Sequence, residues 1–356
     1  MPSTGDQSSR FLEAADFIGA KLCRDAIWSG HRCNWFGVPV LMPQRSHMTD
    51  AQSICGSDFC SGTSGIAVFL GRLFAATREK IFRTTAEGAI RQALSRLDHF
   101  PVEMRKDFNK GLTGVAYSLF EIGESCGIDK FNEMAVLIME DVGRDQQSKS
   151  LCDPATVTAL LRMHERYQRD FLLRMAIECG EDEDTRNRSD AGVAAAMLEL
   201  FKTTGESKYL QAAERILVQN NYEETEVLWT ERAYLRAFET VGDDSYAIRA
   251  REAIEVIRTR IDCLTEDVDF SFPRGLAAIG DLLLEASRIL GDEDLCRAAE
   301  RVGNWGIDRY KQDDLPWSCG STTGWDSPGF INGLAGIGYF YLRLHDSAAA
   351  STVVFG

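Results

Sequence analysis

One unit of helix, turn and second helix recurs along the chain, and this recurrence constrains the fold more than any other feature. Each unit opens on small residues, as in "SGTSGIAVFLGRLF" around Gly65, "NKGLTGVAYSLFEIG" around Gly114 and "INGLAGIGYFYLRL" around Gly336. The other anchor positions are Thr156, Gly192, Leu235 and Ala278. Successive anchors are 49, 42, 36, 43, 43 and 58 residues apart, which is close to the length of a two-helix repeat. The sequence therefore predicts seven helical hairpins.

The apolar residues within these units follow the spacing of helices. Ile66, Phe69, Leu70, Leu73 and Phe74 lie at the i, i+3, i+4, i+7 and i+8 positions of one helix face. Gly-Asp-rich turns such as "VGDDS" and "LGDED" separate one helix from the next. No segment shows convincing strand alternation, so we expect an all-α protein.

The small residues at the head of each first helix call for a physical explanation. Glycine within a helix costs about 1 kcal/mol relative to alanine. Close packing of seven such helices around a common centre offsets this cost, because a larger side chain would hold the backbones apart. Seven hairpins can form an open solenoid or a closed α/α toroid, and the period alone does not distinguish the two.

Composition and charge exclude several classes of function. The chain has 356 residues, 44% of them hydrophobic, and a net charge of -15 without any cluster rich in Lys and Arg, so nucleic acid is not expected as a partner. Arg72 interrupts the longest apolar run, which is too short to span a membrane. The polar N-terminus does not resemble a signal peptide, so we expect a cytoplasmic protein with reduced thiols at its ten cysteines.

Three segments of the sequence are similar to motifs of the lanthionine synthetase C-like (LanC-like) family. They are "NWFGVPV" from Asn34, "SGTSGIAVFLGRLFAAT" from Ser61 and "SPGFINGLAGIGYFYLRL" from Ser327. The resemblance covers roughly residues 11–346 and implies an α/α toroid with seven inner and seven outer helices. We expect a single toroid domain over residues 11–346, a disordered N-terminus over residues 1–10 and a C-terminal tail over residues 347–356.

Family members that act as zinc cyclases hold Zn²⁺ with two cysteines and a histidine and activate a peptide cysteine for addition to a dehydroamino acid. This sequence departs from the motifs that supply those ligands. Thr230 stands at the first cysteine, Pro273 and Arg274 replace a Cys-His pair, and Arg188 and Ser189 replace a His-Gly pair. The five histidines (31, 47, 99, 164 and 345) lie outside the repeat openings. We therefore expect no metal and no cofactor.

In a toroid the loops that lead into the inner helices converge at one end, so their polar residues are expected to share a mouth. These residues are Asp58, Cys60, Asn109, Lys110, Asp153, Arg188, Asp190, Glu231, Arg232, Asp267, Asp269, Arg274, Cys319, Trp325 and Asp326. We assign catalysis to four of them: Arg274 or Arg188 stabilises an enolate, and Asp190 or Asp153 takes a thiol proton. The residues assigned to substrate binding are Glu231, Arg232, Asp267, Asp269, Trp325, Asp326 and Cys60.

These assignments predict a zinc-independent cyclase that forms thioethers in ribosomally made peptides. Its expected partners are a precursor peptide, held through its leader, and other biosynthetic enzymes. A basic leader would suit the net charge of -15. Two alternatives stay open. One is a binding or scaffold protein that has lost catalysis, and the other is a toroid enzyme with different chemistry, such as a terpene cyclase using Asp267 and Asp269.

Overall fold

The structure is a computed structural model that describes residues 4–37, 53–144, 153–182, 190–219, 227–262, 268–272, 274–313, 315–319 and 326–347. Within these ranges 14 α-helices account for most of the chain, which confirms the all-α prediction. Seven helices form an inner set: α2 (Thr63–Thr77), α4 (Leu112–Cys126), α6 (Pro154–Tyr167), α8 (Ala191–Thr204), α10 (Val227–Val241), α12 (Leu276–Leu290) and α14 (Leu334–His345).

The other seven helices form an outer layer. They are α1 (Thr4–Asp25), α3 (Lys80–Leu94), α5 (Asp129–Arg144), α7 (Asp170–Glu181), α9 (Ser207–Gln219), α11 (Asp244–Asp262) and α13 (Glu293–Gly306), which continues as a π-helical segment over Ile307–Gln312. Each inner helix packs against the next one, and α14 packs against α2. The ring of inner helices is therefore closed, so the protein is an α/α toroid and not a solenoid.

The last hairpin of the ring is formed by the two ends of the chain. Inner helix α14 has α1 as its outer partner, whereas every other inner helix pairs with the helix that follows it. The Ser8 hydroxyl lies 2.8 Å from Nδ1 of His345, and Arg10 Nη1 donates to Asn304 Oδ1 at 2.7 Å. The expectation that residues 1–10 are disordered is therefore wrong for residues 4–10, because packing on α14 makes them helical.

Two small antiparallel strand pairs lie between α1 and α2, in a region where no strand was expected. β1 (Ile27–Ser29) pairs with β2 (Arg32–Asn34), and β3 (Phe36–Gly37) pairs with β4 (Ser53–Ile54). Strands of two or three residues are too short to show alternation. Buried Trp35 fixes this region to α1, because its indole Nε1 donates to the Leu22 carbonyl oxygen at 2.8 Å.

A phenylalanine lies six residues before the anchor in four repeats, and its carbonyl oxygen explains the glycine at the head of three inner helices. These phenylalanines are Phe59, Phe108, Phe272 and Phe330, and all are buried. A Cβ added to Gly114 would clash with the Phe108 carbonyl oxygen and lie 2.8 Å from the Cβ of Phe59. The anchor therefore packs beneath its own loop and against the loop of the preceding repeat.

The four rings form a continuous aromatic row across the place where the ring closes. The centroids of Phe272 and Phe330 are 5.7 Å apart, those of Phe330 and Phe59 are 4.9 Å apart, and those of Phe59 and Phe108 are 4.7 Å apart. Because these residues precede α12, α14, α2 and α4, the row joins the last repeats to the first. Such ring pairs contribute about 0.5–1.5 kcal/mol each beyond their buried area.

Farther along the inner helices, charged side chains form a ring within the described part of the toroid. We call it the charge ring, and its members, one from each inner helix in ring order, are Arg72, Glu121, Arg162, Glu199, Arg236, Glu285 and Arg343. Their signs alternate along this order. Arg72 Nε donates to Glu121 Oε2 at 2.7 Å, and Arg236 lies 2.9 Å from Glu285 and 3.7 Å from Glu199. The interior is therefore polar and ion-paired at this level.

None of the described helices is both long enough and apolar enough to cross a membrane. Among the described cysteines, seven are free thiols, namely Cys23, Cys33, Cys55, Cys60, Cys126, Cys296 and Cys319. Cys179 is disulfide-bonded, so the expectation of reduced thiols is wrong at that position. Spacing along the sequence does not reveal which cysteines a toroid brings together.

Candidate functional site

Three loops meet at the backbone of Cys60, at the end of the toroid where the inner helices begin. The Cys60 N–H donates to the Asn109 carbonyl oxygen at 3.0 Å. The Cys60 carbonyl oxygen accepts from the N–H groups of Phe330 and Ile331 at 3.1 and 2.9 Å. The loops before α2, α4 and α14 are thereby held together, as expected for the mouth of a toroid.

Six polar residues from neighbouring loops form what we call the rim cluster: Asp58, Cys60, Asp107, Asn109, Lys110 and Asp153. Local hydrogen bonds fix the conformation of the loop before α4. Asp107 Oδ1 accepts from the Lys110 N–H at 2.6 Å, which closes a turn over residues 107–110. Asn109 Nδ2 donates to Asp153 Oδ2 at 2.7 Å and links this loop to the start of α6.

Asp153 is the N-cap of α6. Its Oδ1 accepts from the Thr156 N–H at 2.7 Å and from the Thr156 hydroxyl at 2.6 Å. Such a cap stabilises a helix by about 0.5–2 kcal/mol. Asp153 thus has a structural role in addition to any chemical one, and its predicted role as the base remains a prediction.

Asp107 is the residue of the rim cluster that is best suited to proton transfer, and it was not among the residues selected from the sequence. Burial raises the pKa of the Asp107 carboxyl to about 6, and the negative charge of Asp153 acts in the same direction. Two carboxyl groups in adjacent loops, one with a pKa near neutrality, form an arrangement suited to general acid–base chemistry. The sequence contained a signal for it, because Asp107 lies three residues before Lys110 at the start of a turn.

The Cys60 thiol lies in the same cluster but is not activated. Burial, followed by the charge of Asp58, raises its pKa to about 12. A thiol with this pKa is almost entirely protonated at neutral pH and is a poor nucleophile. Cys60 therefore contributes shape and backbone hydrogen bonds to the rim, and its predicted role in substrate binding is compatible with this environment.

A cavity of about 630 Å³ opens beside the rim cluster, and we call it the side cavity. It lies between the β3–β4 pair, the loop before α2 and the segment over residues 96–104 that follows α3. Asp58, Cys60 and Lys110 belong both to its wall and to the rim cluster. The cavity was not expected from the sequence, because it lies outside the ring of inner helices, between elements that the repeat pattern does not predict.

Two residues predicted at the mouth lie elsewhere. Glu231 and Arg232 are buried within α10, because this helix begins at Val227, ahead of the position expected from the repeat. Arg232 forms ion pairs with Asp281 at 2.8 Å and with Glu285 at 2.5 Å. Their expected position in a mouth loop is therefore wrong, and Arg232 belongs to the ionic network around the charge ring.

Of the other predicted catalytic residues, the structure describes Asp190 and Arg274. Asp190 is the N-cap of α8 and accepts from the Val193 N–H at 3.1 Å. Arg274 is exposed at the start of α12. Within the described ranges, no hydrogen bond or ion pair joins Arg274 to Asp190 or Asp153. Arg188 lies outside the described residues, so its place relative to them stays a prediction.

The residues predicted to bind substrate near α12 and α14 are engaged in local contacts. Asp269 accepts from the Ser271 N–H at 2.8 Å and from the Ser271 hydroxyl at 2.9 Å. Asp326 Oδ1 accepts from the Trp317 N–H at 2.5 Å, and Oδ2 pairs with Lys21 of α1. Asp267 and Trp325 lie outside the described residues. The contacts of Asp269 give no support to a terpene-cyclase-like acid motif.

The residues at the family's zinc positions do not fit the metal. Thr230 lies in α10 and Arg274 is exposed, and neither a threonine hydroxyl nor a guanidinium replaces a thiolate or imidazole ligand. Among the residues that the structure describes, no group of three His, Cys, Asp or Glu side chains is placed to hold a metal ion. The donor set is therefore unsuited to the zinc chemistry of the family's cyclases.

Comparison with protein families supports the resemblance in the C-terminal part of the chain. The model of the family described as "Lanthionine synthetase C-like protein" matches residues 230–355. The chain is thus LanC-like over α10, α12 and α14, with the helices that follow the first two of them. The N-terminal motifs beginning at Asn34 and Ser61 lie outside the matched residues. No curated protein matches the chain.

Comparison with solved structures agrees with the fold over nearly the whole chain. An unsaturated glucuronyl hydrolase specific for heparin is 11% identical, with 96% of each chain covered and a TM-score of 0.51. A sugar epimerase from a ruminal bacterium is 12% identical, with 96% of this chain and 99% of that chain covered and a TM-score of 0.48. At this level of identity the likeness to the hydrolase concerns the fold alone.

Proposed function

We propose that the protein is a zinc-independent LanC-like enzyme that forms thioethers in a ribosomally made peptide. The observation that carries this proposal is the position of Asp107, a carboxyl group whose pKa burial raises to about 6, in the rim of a toroid whose residues 230–355 match the LanC-like family. A carboxylate of this basicity is a better proton acceptor at neutral pH than an ordinary aspartate. It can take over part of the work that zinc performs in the family's cyclases.

In the proposed reaction, the Asp107 carboxylate takes the proton of a substrate cysteine thiol. The sulfur adds to the Cβ of a dehydroalanine or dehydrobutyrine, and the electron pair of the C=C bond moves onto the neighbouring carbonyl as an enolate. The proton held by Asp107 then returns to Cα, which gives the thioether. No oxidant or reductant is required, because the product is an isomer of the substrate.

The enolate needs a positive partner, and Lys110 is the described cation of the rim cluster. Lys110 is exposed, and its positive charge opposes the rise that burial causes in the pKa of Cys60 and in the pKa of Asp107. An ammonium group donating to the developing oxyanion stabilises it more than the neutral carbonyl. Arg274 and Arg188, the cations selected from the sequence, remain alternatives for this role.

The test is incubation of the protein with a dehydrated, cysteine-containing peptide, with remaining thiols scored by alkylation and mass spectrometry. We expect thiol loss with the wild-type protein and a decrease of about 10²–10⁴-fold in rate for Asp107→Asn. Asp141→Asn, on the exposed face of α5, is the matched control and should leave the rate unchanged. Thiols that persist at the level without enzyme would contradict the proposal.

A non-catalytic peptide-binding protein is the second candidate, and the N-cap roles of Asp153 and Asp190 favour it. Both carboxylates selected as bases from the sequence hold helix starts, and such contacts persist in a protein that has lost catalysis. This candidate predicts saturable binding of the dehydrated peptide with no thiol loss. The same incubation, followed by a binding measurement, therefore separates the two functions.

A further inference from the structure

The side cavity differs in charge from the protein as a whole. Arg96, His99 and Lys110 lie in its wall, and Asp58 is the acidic residue among the described lining residues. Asp58 Oδ1 accepts from the Ser61 N–H at 2.8 Å, so this oxygen is directed to its own loop. The chain carries a net charge of -15, so a wall with two permanent cations and one carboxylate is a local reversal of the overall charge.

Apolar surface lies beside these cations. Ile54 of β4 is 64% exposed, although it is a large aliphatic side chain, and it lines the cavity together with Phe100 and Met104. An exposed isoleucine at a cavity wall offers apolar area that a ligand can bury, at about 25 cal/mol for each Å². The wall thus combines cationic and apolar groups.

We propose that the side cavity binds an acidic segment of a peptide that also carries apolar side chains. Carboxylates of this segment pair with Arg96, and its apolar residues cover Ile54 and Phe100. Charge complementarity carries the choice of occupant, because the wall attracts anions that the rest of the surface repels. The volume of about 630 Å³ lies within the range of ligand-binding cavities.

This inference rests on the proposed function in one respect: it takes the bound peptide to be the substrate of the rim cluster. The side cavity and the rim cluster share Asp58, Cys60 and Lys110, so a segment in the cavity lies next to the reacting part of the same chain. The peptide proposed for the side cavity is acidic, whereas the net charge of the whole chain favours a basic leader. A local cationic wall outweighs a distant net charge because salt screens interactions beyond about 8–10 Å.

The test uses fluorescence anisotropy with a labelled eight-residue peptide of alternating Glu and Leu and its counterpart of alternating Gln and Leu. Neither peptide contains cysteine or a dehydroamino acid, so binding is measured apart from chemistry. We expect the Glu peptide to bind at least tenfold more tightly than the Gln peptide. Arg96→Glu should raise the Kd of the Glu peptide at least tenfold.

Arg297→Glu supplies the matched control, because it makes the same charge change on the exposed face of α13. It should leave the Kd of the Glu peptide within about twofold. Equal affinity for the two peptides, or an unchanged Kd in Arg96→Glu, would overturn the inference. Thermal melts of both variants exclude unfolding as the cause of lost binding.

The outcome is separable from that of the proposed function. Cyclisation is assayed separately, with the wild-type protein and a short dehydrated peptide that lacks any acidic segment. Cyclisation without binding of the Glu peptide would sink only the side-cavity inference. Binding of the Glu peptide without cyclisation of either substrate would sink only the proposed reaction.

Discussion

Asp107 shows how a single residue can be kept at a cost to stability. Its pKa rises from 3.8 to about 6 in the folded protein, so the charged form is less favourable there than in the unfolded chain. Below about pH 4 the Asp107 carboxyl is protonated in both the folded and the unfolded state, and it costs no stability. The free energy of unfolding falls as the pH rises through 6, because the unfolded chain ionises Asp107 more readily than the folded protein does. This loss corresponds to about 3 kcal/mol at most, and solvent screening reduces it to about 1–2 kcal/mol.

Asp107→Asn should therefore stabilise the protein at high pH and not at low pH. The asparagine keeps the acceptor for the Lys110 N–H but carries no charge. At pH 8 we expect an increase of about 1–2 kcal/mol in the free energy of unfolding, and at pH 4 almost none. Urea denaturation followed by tryptophan fluorescence at the two pH values checks this. A difference in stability between variant and wild type that is the same at pH 8 and at pH 4 would show that Asp107 has an ordinary pKa.

The Cys60 thiol gives a second prediction at the residue scale. Because burial raises its pKa to about 12, we expect Cys60 to react with iodoacetamide at pH 8 at least tenfold more slowly than a cysteine in an unstructured peptide. Cys60→Ser should cyclise peptide at a rate within about twofold of wild type. Rapid labelling of Cys60 accompanied by loss of cyclisation would instead identify it as a nucleophile.

At the scale of the element, two glycines of α2 allow the effect of close packing on stability to be distinguished from the effect of helix propensity. A Cβ at Gly65 would clash with the Phe59 carbonyl oxygen and lie 2.6 Å from the Cβ of Phe330, whereas a Cβ at Gly71 would have its nearest neighbour, in Ile122, at 3.5 Å. Gly65→Ala should destabilise the protein by about 1–3 kcal/mol through overpacking. Gly71→Ala should be neutral or stabilising by up to about 1 kcal/mol.

Chemical denaturation of the two variants under one condition provides the comparison. Both substitutions add one methyl group to the same helix, so the difference between them reports the surroundings and not the residue type. Equal free energies of unfolding would mean that the loop bearing Phe59 moves away from α2 without cost. Close packing would then not account for the recurrent glycines.

The repeat predicted the inner helices better than it predicted the loops between them. Anchors at Gly65, Gly114 and Gly336 lie in the first turns of α2, α4 and α14, because a strict steric requirement leaves a visible mark in the sequence. The start of α10 lacks such an anchor, and Glu231 was therefore placed in a loop. The Asp107 carboxyl was overlooked for a different reason, since its raised pKa depends on burial in the folded rim and then on Asp153 of another repeat.

At the scale of the whole molecule, the charge ring was present in the sequence but not recognised. In five repeats the charged residue follows the anchor by seven positions: Arg72, Glu121, Glu199, Glu285 and Arg343. Periodicity of charge at a fixed offset predicts a shared level of the toroid. It does not predict the partners, because a pair such as Arg72 and Glu121 forms only where two neighbouring inner helices pack closely enough for their side chains to meet. The period alone fits a solenoid equally well.

Ion pairs between the neighbouring inner helices α10 and α12 give the strongest prediction for stability. Glu285 is buried, and its two carboxylate oxygens lie 2.5 Å from Arg232 and 2.9 Å from Arg236. Burial alone would raise the pKa of Glu285, but Arg236 and Arg232 outweigh it and lower the pKa below its usual range. The ion pairs therefore contribute stability above the ordinary pKa of a glutamate that is lost as the pH falls.

Glu285→Gln removes the carboxylate shared by the buried Arg232 and the partly buried Arg236, and we expect it to lower the free energy of unfolding by about 3–5 kcal/mol at pH 7. Glu293→Gln is the matched control: its side chain is 90% exposed and lies 3.5 Å from Arg297, so it should cost at most about 0.5 kcal/mol. Urea denaturation measures both variants.

Because removal of Arg236 relieves part of the unpaired charge, the double variant Glu285→Gln/Arg236→Gln should be more stable than the sum of the single changes predicts. A cost below about 1 kcal/mol for Glu285→Gln, with strict additivity in the double variant, would mean that the charge ring does not hold the inner helices together.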